Sequence, residues 1–596
     1  MPERRQVKAM RRAMNKRGIT WYLVPTSDDH GSEYVDGFFK TRAWLTGFTG
    51  SAGTALVGPA GTWLWTDGRY FVQAEEELRG RAVTLMKMRE EGVPTIEDFL
   101  AQYLYDNDVL GFDGRLLSCR EAEGYVAAAK RAGAAVVMDA DLASEAWEDR
   151  PAMSKNPAWF MTAEEAGESR EKRLARLRIA MREEGATVHL IPSLDDIAWL
   201  FLMRGSDVRC NPVVLSYAAV EEKKAYLFVQ DGVVSAEDAA ALAADGVTLR
   251  PYAEFYDYIA ALPRSARVWY DPARANAGMV TRLKKGMGFV TKASPIQLWK
   301  ACKNHVEMDR IRLAHEKDGA AMVKFLCWLQ DNKGKIPMTE LSLAEKLDSL
   351  RSEQEGFLDL SFGTISAYGP NAAMPHYCAT PEKFSEVKRK GFYLVDSGAQ
   401  YREGTTDITR TVAMGRLTKE EKLHYTLVLK GHIGLATARF PQGVRGLTLD
   451  AFARRPLWDM GLDYNHGTGH GVGYVLNVHE GPNNIRWMLA PGGESAQILE
   501  GMLTSNEPGY YEPGSHGIRT ENLVLCVKDE KTAYGQFLRF ETVTLCPIDL
   551  TPVLPELLTQ EEKDWLNAYH ARVREVLSPR LTEHERAWLK KATKAI

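Results

Sequence analysis

The chain has 596 residues, of which 45% are hydrophobic and 26% are charged, and its formal net charge is −4. This composition excludes a disordered or collagen-like chain, and the length predicts about three or four domains. The small net charge gives no electrostatic reason to bind nucleic acid or an anionic membrane, and no apolar run approaches the ~20 residues of a membrane-spanning helix.

The seven cysteines are scattered along the chain, and no two of them form a Cys-x-x-Cys pair. This pattern argues against a disulfide scaffold and a thiolate zinc site, and it favours a reducing compartment. The first 18 residues are basic but lack an apolar signal core. They predict an amphipathic first helix, with an Arg-rich transit peptide as the weaker alternative, so we expect a cytoplasmic protein.

An internal repeat predicts two related domains in the first half of the chain. Residues 18–29 match residues 185–196, and each copy follows a basic helical pattern. Gly18 and Gly185 occupy the place of a helix C-cap, and a β-branched apolar run typical of a buried strand follows each of them. We predict α/β domains at residues 1–155 and 156–300.

A linker is predicted at residues 151–169, which contain proline and glycine but no clear periodicity. The remaining residues, 301–596, predict a third and larger α/β domain. An amphipathic helix from about Asn304 opens this domain, and a charged helical extension, about 536–596, closes it.

Signatures of several enzyme classes are absent from the sequence. There is no G-x-S-x-G, no H-E-x-x-H and no phosphate-binding G-x-x-x-x-G-K-[ST]. The glycine-rich run at 466–473 does not fit G-x-G-x-x-G, so dinucleotide binding is unsupported.

Acidic residues instead end apolar strands repeatedly in the third domain. Asp396 closes an apolar run, and Asp407 follows a turn in an alternating pattern, so a hairpin can bring the two together. Glu507 precedes a Pro-Gly turn, and Glu521 precedes another apolar strand. An aspartate at a strand end is usually a turn former, and His470 among glycines fits a loop histidine. Burying several unpaired carboxylates costs free energy, however, and a pair of bound metal ions would supply the positive charge that compensates them.

These segments together resemble the pita-bread metallopeptidases, and within them the long, three-domain cytosolic Xaa-Pro aminopeptidases. The resemblance covers nearly the whole chain and implies two creatinase-like N-terminal α/β domains, then a pita-bread catalytic domain with a helical extension. Met374-Pro375, ahead of His376, departs from the family pattern and puts the placement of His376 in doubt. The resemblance is carried by residues 44–53, 65–70, 204–207, 395–401, 404–407, 466–473, 506–509 and 517–522.

The resemblance implies five ligands for two divalent metal ions. Asp396 would chelate one ion, His470 and Glu507 would hold the other, and Asp407 and Glu521 would bridge both. Four carboxylates balance two divalent ions, and a bridging hydroxide would leave one negative charge. Oxygen-rich ligation with a single imidazole favours Mn²⁺.

The implied reaction removes the N-terminal residue from peptides with proline at position 2, by attack of a metal-activated hydroxide. Glu507 would act as general base, and His479 would stabilise the oxyanion. His376 and His466 would line the site near the scissile bond and the proline, and Asp396 would meet the substrate's amine. Proline has no N–H and a fixed φ, so its rigid ring suits a preshaped pocket.

Two alternatives stay open. A prolidase or creatinase-like hydrolase would usually have one N-terminal domain, whereas this chain has two. A non-catalytic pita-bread module that binds proteins would tend to lose ligands, whereas all five are present here. By analogy, we expect the first two domains to restrict access and to build a homodimer, and we expect peptides, not nucleic acid or membranes, as partners.

Overall fold

The computed structural model describes residues 3–489 and 494–596. The chain divides into two compact units, the first from Met1–Ala163 and Glu168–Ile296 and the second from Glu164–Gly167 and Gln297–Ile596. In the described part of the chain, none of the helices combines the length and apolar character needed to cross a bilayer.

The first unit contains two mixed β-sheets and the helices that cover them. Its helices are α1 (Arg5–Lys16), α2 (Thr41–Thr46), α3 (Phe71–Glu77), α4 (Ile96–Tyr103), α5 (Cys119–Arg131), α6 (Ala143–Ala146), α8 (Arg170–Glu183), α9 (Leu194–Phe201), α10 (Ala236–Ala244), α11 (Phe255–Ala261) and α12 (Ala277–Thr281). Helix α7 (Ala163–Ala166) lies mostly in the segment assigned to the second unit. The strands are β1 (Trp21–Pro25), β2 (Thr54–Gly58), β3 (Gly61–Thr66), β4 (Thr84–Lys87), β5 (Val109–Gly111), β6 (Ala135–Val137), β7 (Trp159–Phe160), β8 (Val188–Ile191), β9 (Met203–Arg204), β10 (Ser216–Glu221), β11 (Ala225–Val229), β12 (Val247–Pro251), β13 (Arg267–Tyr270) and β14 (Gly288–Thr291).

The sequence repeat corresponds to a repeated sheet. The strand orders β4-β3-β2-β1-β5-β6 and β12-β11-β10-β8-β13-β14 are equivalent, and so are their parallel and antiparallel pairings. The glycine before each central strand has a left-handed φ, +66° at Gly18 and +67° at Gly185. Glycine adopts this conformation without a Cβ penalty, which explains why both copies keep it.

The segment 151–169 was expected to be an irregular linker, and this interpretation was incomplete. Strand β7 pairs with β9 through Trp159–Arg204 and Phe160–Met203, and α7 follows it. A two-residue strand has no detectable periodicity, so only its distant partner defines it.

The second unit combines several antiparallel sheets with long helices. Its helices are α13 (Pro295–Ala301), α14 (His305–Asn332), α15 (Glu340–Ser352), α16 (Lys419–Ala436), α17 (Gly446–Trp458), α18 (Gln560–Leu577) and α19 (Glu583–Ala592). Its strands are β15 (Phe357–Leu360), β16 (Ile365–Tyr368), β17 (Phe392–Ser397), β18 (Ala399–Tyr401), β19 (Gly404–Thr405), β20 (Ile408–Ala413), β21 (Arg439–Pro441), β22 (Gly469–Gly471), β23 (Glu480–Ile485), β24 (Leu503–Asn506), β25 (Gly509–Glu512), β26 (His516–Arg519), β27 (Asn522–Thr532) and β28 (Gly535–Thr542).

Two of these sheets supply the candidate site. One has the order β16-β17-β20, and the other has the order β21-β28-β27-β24-β22-β23. Helix α14 begins where the amphipathic pattern predicted: Asn304 is its N-cap, and Glu307 completes a capping box. Its apolar face, with Phe325 and Leu326, packs into the core beside β17 and β20.

Candidate metal centre

The two predicted aspartates flank one antiparallel strand pair. Strands β17 and β20 pair with Asp396 opposite Thr409 and Ser397 opposite Ile408. Asp407 immediately precedes Ile408, so Asp407 lies just beyond the end of the strand pair at which Asp396 is also located. Both carboxylates are buried. The strand register therefore holds them close together without help from a flexible loop.

The two predicted glutamates also lie at the end of an antiparallel strand pair, in the other sheet. Strands β24 and β27 are antiparallel, and their last pair is Asn506 with Asn522. Glu507 follows Asn506 and Glu521 precedes Asn522, so both glutamates lie just beyond the same end of this strand pair. The hydroxyl of Ser505 donates to Glu507 Oε1 (3.1 Å), and the hydroxyl of Thr409 donates to Glu521 Oε2 (2.7 Å).

His470 lies among these carboxylates on the short strand β22. Its Nε2 is 3.5 Å from both Asp407 Oδ2 and Glu507 Oε1. Its Nδ1 is 3.0 Å from the carbonyl of Gly471, a contact that favours a proton on Nδ1 and leaves Nε2 to face the acids. One ligand atom each from Asp407, His470 and Glu521 lies within 4.8 Å of the others.

The acids repel one another in a region shielded from water. Burial, and then the charges of Asp407, Glu507 and Asp396, raise the pKa of Glu521 well above its usual range. Burial also raises the pKa of Asp396 to about 6, although Arg519 opposes the shift. Burial lowers the pKa of His470, but Asp407 and Glu507 outweigh it and raise that pKa to about 9. The cluster thus favours bound positive charge, either protons or cations.

The donor set fits divalent metal ions. Within the described residues, Asp396 Oδ1 is buried without a hydrogen-bond partner, an arrangement that normally costs free energy. Carboxylate oxygens and one imidazole are ligands for hard or intermediate cations. The five side chains that the sequence singled out as ligands therefore share one buried cluster; their individual ligand roles stay predictions.

The structure places one of the three other predicted histidines, His479, against the cluster, and it links a second, His466, to Asp396 through Tyr511 and Arg519. The His479 ring packs edge-on against the His470 ring, with centroids 4.5 Å apart. His466 Nε2 is 2.7 Å from the hydroxyl of Tyr511. Burial, and then Arg519, lower the pKa of His466 to about 3, so this imidazole is neutral. Neutral histidines can donate to or accept from a substrate.

His376 lies in a loop that also reaches the cluster. The preceding residue, Pro375, accepts a hydrogen bond from Arg519 Nη2 through its carbonyl (3.4 Å), and the same nitrogen donates to Asp396 Oδ2 (2.6 Å). The unusual Met374-Pro375 pair therefore does not carry the His376 loop away from the acids. Arg519 lies within residues 517–522, one of the segments that carry the resemblance, but its role was not predicted. Its position two residues before Glu521 was the available signal.

A buried glutamate that the sequence did not suggest organises the His376 loop. Glu340, at the start of α15, accepts hydrogen bonds from the backbone N–H groups of Tyr368 and Ser385 (both 2.6 Å), and from Asn371 and Tyr377 (3.0 and 2.8 Å). These donors surround residues 368–385. Several charge-assisted hydrogen bonds to one carboxylate fix the loop more firmly than neutral ones would.

A buried cluster of four acids and a histidine, held by strand ends, defines a protein that binds divalent cations. The chain belongs to metallopeptidase family M24, whose sequence profile matches residues 309–528. Profiles of the creatinase/prolidase N-terminal domain match residues 6–144 and 149–307, and the C-terminal region of peptidase M24 matches residues 536–596. The predicted fold class, with two creatinase-type domains before a pita-bread domain, is confirmed.

Relatives resemble the chain over nearly its whole length. Aminopeptidase P1 of Arabidopsis thaliana is 38% identical, covering 96% of each chain. A probable Xaa-Pro aminopeptidase P of Laccaria bicolor is 39% identical, covering 98% of this chain and 92% of its own. The crystal structure of an X-prolyl aminopeptidase from Caenorhabditis elegans, described as a cytosolic enzyme with a di-nuclear active site, matches with a TM-score of 0.94 and 35% identity. That match covers 99% of this chain and all of the nematode chain.

Replacing Glu340 with glutamine tests how the His376 loop is held. The amide has one acceptor oxygen and presents N–H groups to donors, so we expect a loss of about 1–3 kcal/mol in the free energy of unfolding. We also expect a higher KM for peptide substrates, because the loop loses its fixed position. Urea unfolding and steady-state kinetics measure both. The matched control is Glu345→Gln, at an exposed position of the same helix; equal behaviour of the two variants would contradict the assignment.

Proposed function

We propose that this protein is a metal-dependent Xaa-Pro aminopeptidase, which releases the N-terminal residue from peptides whose second residue is proline. The observation that carries the proposal is the buried cluster of Asp396, Asp407, His470, Glu507 and Glu521. Full-length similarity to proteins named aminopeptidase P and Xaa-Pro aminopeptidase supports the substrate class.

Two divalent ions per chain are the proposed cofactors, and Mn²⁺ is the proposed identity. Asp396 would chelate one ion, His470 and Glu507 the other, and Asp407 and Glu521 would bridge them. The di-nuclear site named for the nematode enzyme supports the number, and the oxygen-rich donor set without a thiol supports Mn²⁺. When bound, the ions supply positive charge that lowers the pKa of water and polarises the scissile carbonyl.

Glu507 is the proposed general base. One of its oxygens, Oε1, receives a hydrogen bond from Ser505, which orients the carboxylate. Glu507 takes a proton from the attacking water and delivers it to the proline nitrogen as that nitrogen leaves. The leaving nitrogen needs this proton because an unprotonated amide anion is too basic to leave, and with the proton it departs as the secondary amine of proline.

The surrounding side chains are proposed to bind and orient the substrate. His479, next to His470, donates a hydrogen bond to the carbonyl oxygen as negative charge develops on it. His376 and His466 line the site around the proline. Asp396 binds the free amine, and Arg519 holds the orientation of its carboxylate through a 2.6 Å hydrogen bond. Recognition of the amine would make the enzyme an exopeptidase.

We also propose three domains, at 1–155, 156–300 and 301–596, and a cytoplasmic location. The extents of the matching family profiles support the domain division. A cytoplasmic location is supported by the nematode relative, described as cytosolic. Cys119, Cys302, Cys327, Cys526 and Cys546 are free thiols, which suits a reducing compartment.

A homodimer is the proposed assembly, and an exposed apolar surface supports it. Helix α17 and the residues just after it expose large apolar side chains, and so does the segment after β23, the strand that packs on α17. Apolar surfaces of this kind commonly mark protein interfaces. The side chains are Leu447, Phe452, Trp458, Met460, Met488 and Leu489, each between 37% and 58% exposed.

Peptide length separates the aminopeptidase from a dipeptide-cleaving prolidase. We expect the Mn²⁺-loaded protein to cleave Xaa-Pro-Xaa tripeptides after their first residue, because the site recognises the amine and the proline and leaves the far end unconstrained. Liquid chromatography of the products measures this. Cleavage of Xaa-Pro dipeptides alone would reject the proposal. A protein that cleaves neither and does not retain two ions would favour the binding-module alternative.

A Glu507→Gln variant tests the base. We expect kcat to fall by about 10²–10⁴-fold, because the amide cannot take the proton from water. The amide oxygen can still act as a ligand, so we expect metal to remain bound, as measured by elemental analysis. Glu500→Gln, at an exposed position near the same strand, serves as the control. Wild-type turnover in the Glu507 variant would remove this residue from the base role.

A Phe452→Glu variant tests the proposed interface. We expect a shift from dimer to monomer in light scattering coupled to size exclusion, because a charge would be buried without a partner. Tyr534→Glu, on the highly exposed β27–β28 turn, is the control and should leave the mass unchanged. A Phe452 variant that keeps the mass of the parent protein would contradict the proposed surface.

A further inference from the structure

A second group of ligating side chains lies outside the acidic cluster, in the same unit. Cys327 and Asp331 are one turn apart on α14, and His584 lies in the first turn of α19. The distance from Cys327 Sγ to Asp331 Oδ2 is 3.9 Å, and the distance from His584 Nε2 to the same oxygen is 2.7 Å. All three ligand atoms are within 4.8 Å of one another.

The local structure holds these three side chains in place before any cation binds. Residues four apart on a helix share a face, so Cys327 and Asp331 point in the same direction. The capping box of Thr582 and Glu585 fixes the start of α19. Leu589 anchors that helix in the core of the second unit. A site formed this way would need little ordering when a cation arrives.

A thiol, an imidazole and a carboxylate are typical zinc ligands. Zinc binds them at about 2.3, 2.0 and 2.0–2.2 Å, and tetrahedral geometry then separates the ligand atoms by roughly 3.2–3.7 Å. To reach this range the 3.9 Å and 2.7 Å contacts would change by roughly 0.2 and 0.5 Å, and the Sγ–Nε2 distance, at most 4.8 Å, would shorten by up to about 1 Å. The His584 and Asp331 side chains are 69% and 45% exposed, so solvent can supply a fourth ligand.

We propose that Cys327, Asp331 and His584 form a separate Zn²⁺ site that fastens the last helix, α19, to α14. Binding replaces the thiol proton: Cys–SH and Zn²⁺ give a zinc thiolate and a proton that passes to water. The thiolate and the carboxylate together balance the two charges of the ion. The site does not depend on the proposed peptidase activity.

Negative charges act on Cys327 from two side chains, Asp331 and Glu585. The thiol donates only a long hydrogen bond, 3.9 Å, to Asp331 Oδ2. An exposed His–Asp ion pair by itself contributes little to stability. The thiol also sets this site apart from the acidic cluster, because thiolate ligands select zinc-like ions over Mn²⁺.

Cobalt substitution distinguishes the two kinds of site. Co²⁺ bound by a thiolate shows a charge-transfer band in the near ultraviolet, whereas Co²⁺ among carboxylates and imidazole does not. We expect this band when the Mn²⁺-loaded, full-length protein is titrated with Co²⁺, and we expect added Zn²⁺ to abolish it. The exposed Cys378, near His376, is the main competing thiol, so Cys378→Ser is the control and should keep the band.

Variants of the proposed ligands test whether Cys327 and His584 bind the cobalt ion. The band should disappear in Cys327→Ser and weaken strongly in His584→Ala. The second change removes an exposed side chain, so its fold can be checked by an unaltered melting temperature in the absence of zinc. Zinc should also slow hydrogen exchange in residues 582–593 of the parent protein but not in His584→Ala. A parent protein without the band, a band that survives in Cys327→Ser, or a band lost in Cys378→Ser would overturn the proposal.

Discussion

The second unit is organised around the need to hold like charges together away from water. Asp396, Asp407, Glu507 and Glu521 are buried or nearly so, and their mutual repulsion opposes folding unless cations compensate it. Flexible loops would let such groups separate. Instead, each acid is the last paired residue of a strand or its immediate neighbour, where the hydrogen-bonded ladder fixes the backbone. The strand register is thus the constraint on which the site depends.

One buried arginine connects this register to the end of the chain. Arg410, in β20, donates to the carbonyl of Glu521 (2.7 Å) and to Asn522 Oδ1 (2.8 Å), so it ties β20 to the start of β27. The same guanidinium donates to the carbonyls of Cys546 and Pro547. The hydroxyl of Tyr569, on α18, also donates to the carbonyl of Cys546. The C-terminal extension therefore supports the acidic cluster through a continuous hydrogen-bond network.

Much of the fold was predictable because its signals are local. The repeated strand with its glycine, and the capping box of α14, are each encoded within a few residues. The metal ligands were assigned through resemblance, since spacing alone left turn roles open. Partners such as Arg519 for Asp396 were missed because 123 positions separate them. Their contact exists only once two sheets have formed, and no periodicity in the sequence reports it. The same reason explains why β7, defined only by its pairing with β9, was read as linker.

Charge compensation distinguishes the acids of the cluster from other buried acids in this unit. Glu480 is buried as deeply as Asp407, yet Lys300 and Lys303 lie 3.0 and 2.6 Å from its oxygens. Burial would raise the pKa of Glu480, but the two lysines outweigh it and lower that pKa. Glu340 is satisfied by neutral donors, and Asp318 pairs with Arg351 at 2.8 Å.

The acids of the cluster differ from these structural acids in their compensation. Within the described residues, Arg519 is the guanidinium that pairs directly with one of the four, Asp396. In the part of the chain that the structure describes, the remaining negative charge has no comparable partner of fixed charge, and His470 can offset only part of it. Glu480, Glu340 and Asp318 each have compensating partners, and the contrast with the under-compensated cluster indicates that the cluster binds cations from solution. Glu480, whose backbone pairs with Gly471 beside His470, is neutralised by its own lysines and so adds no uncompensated charge next to the cluster.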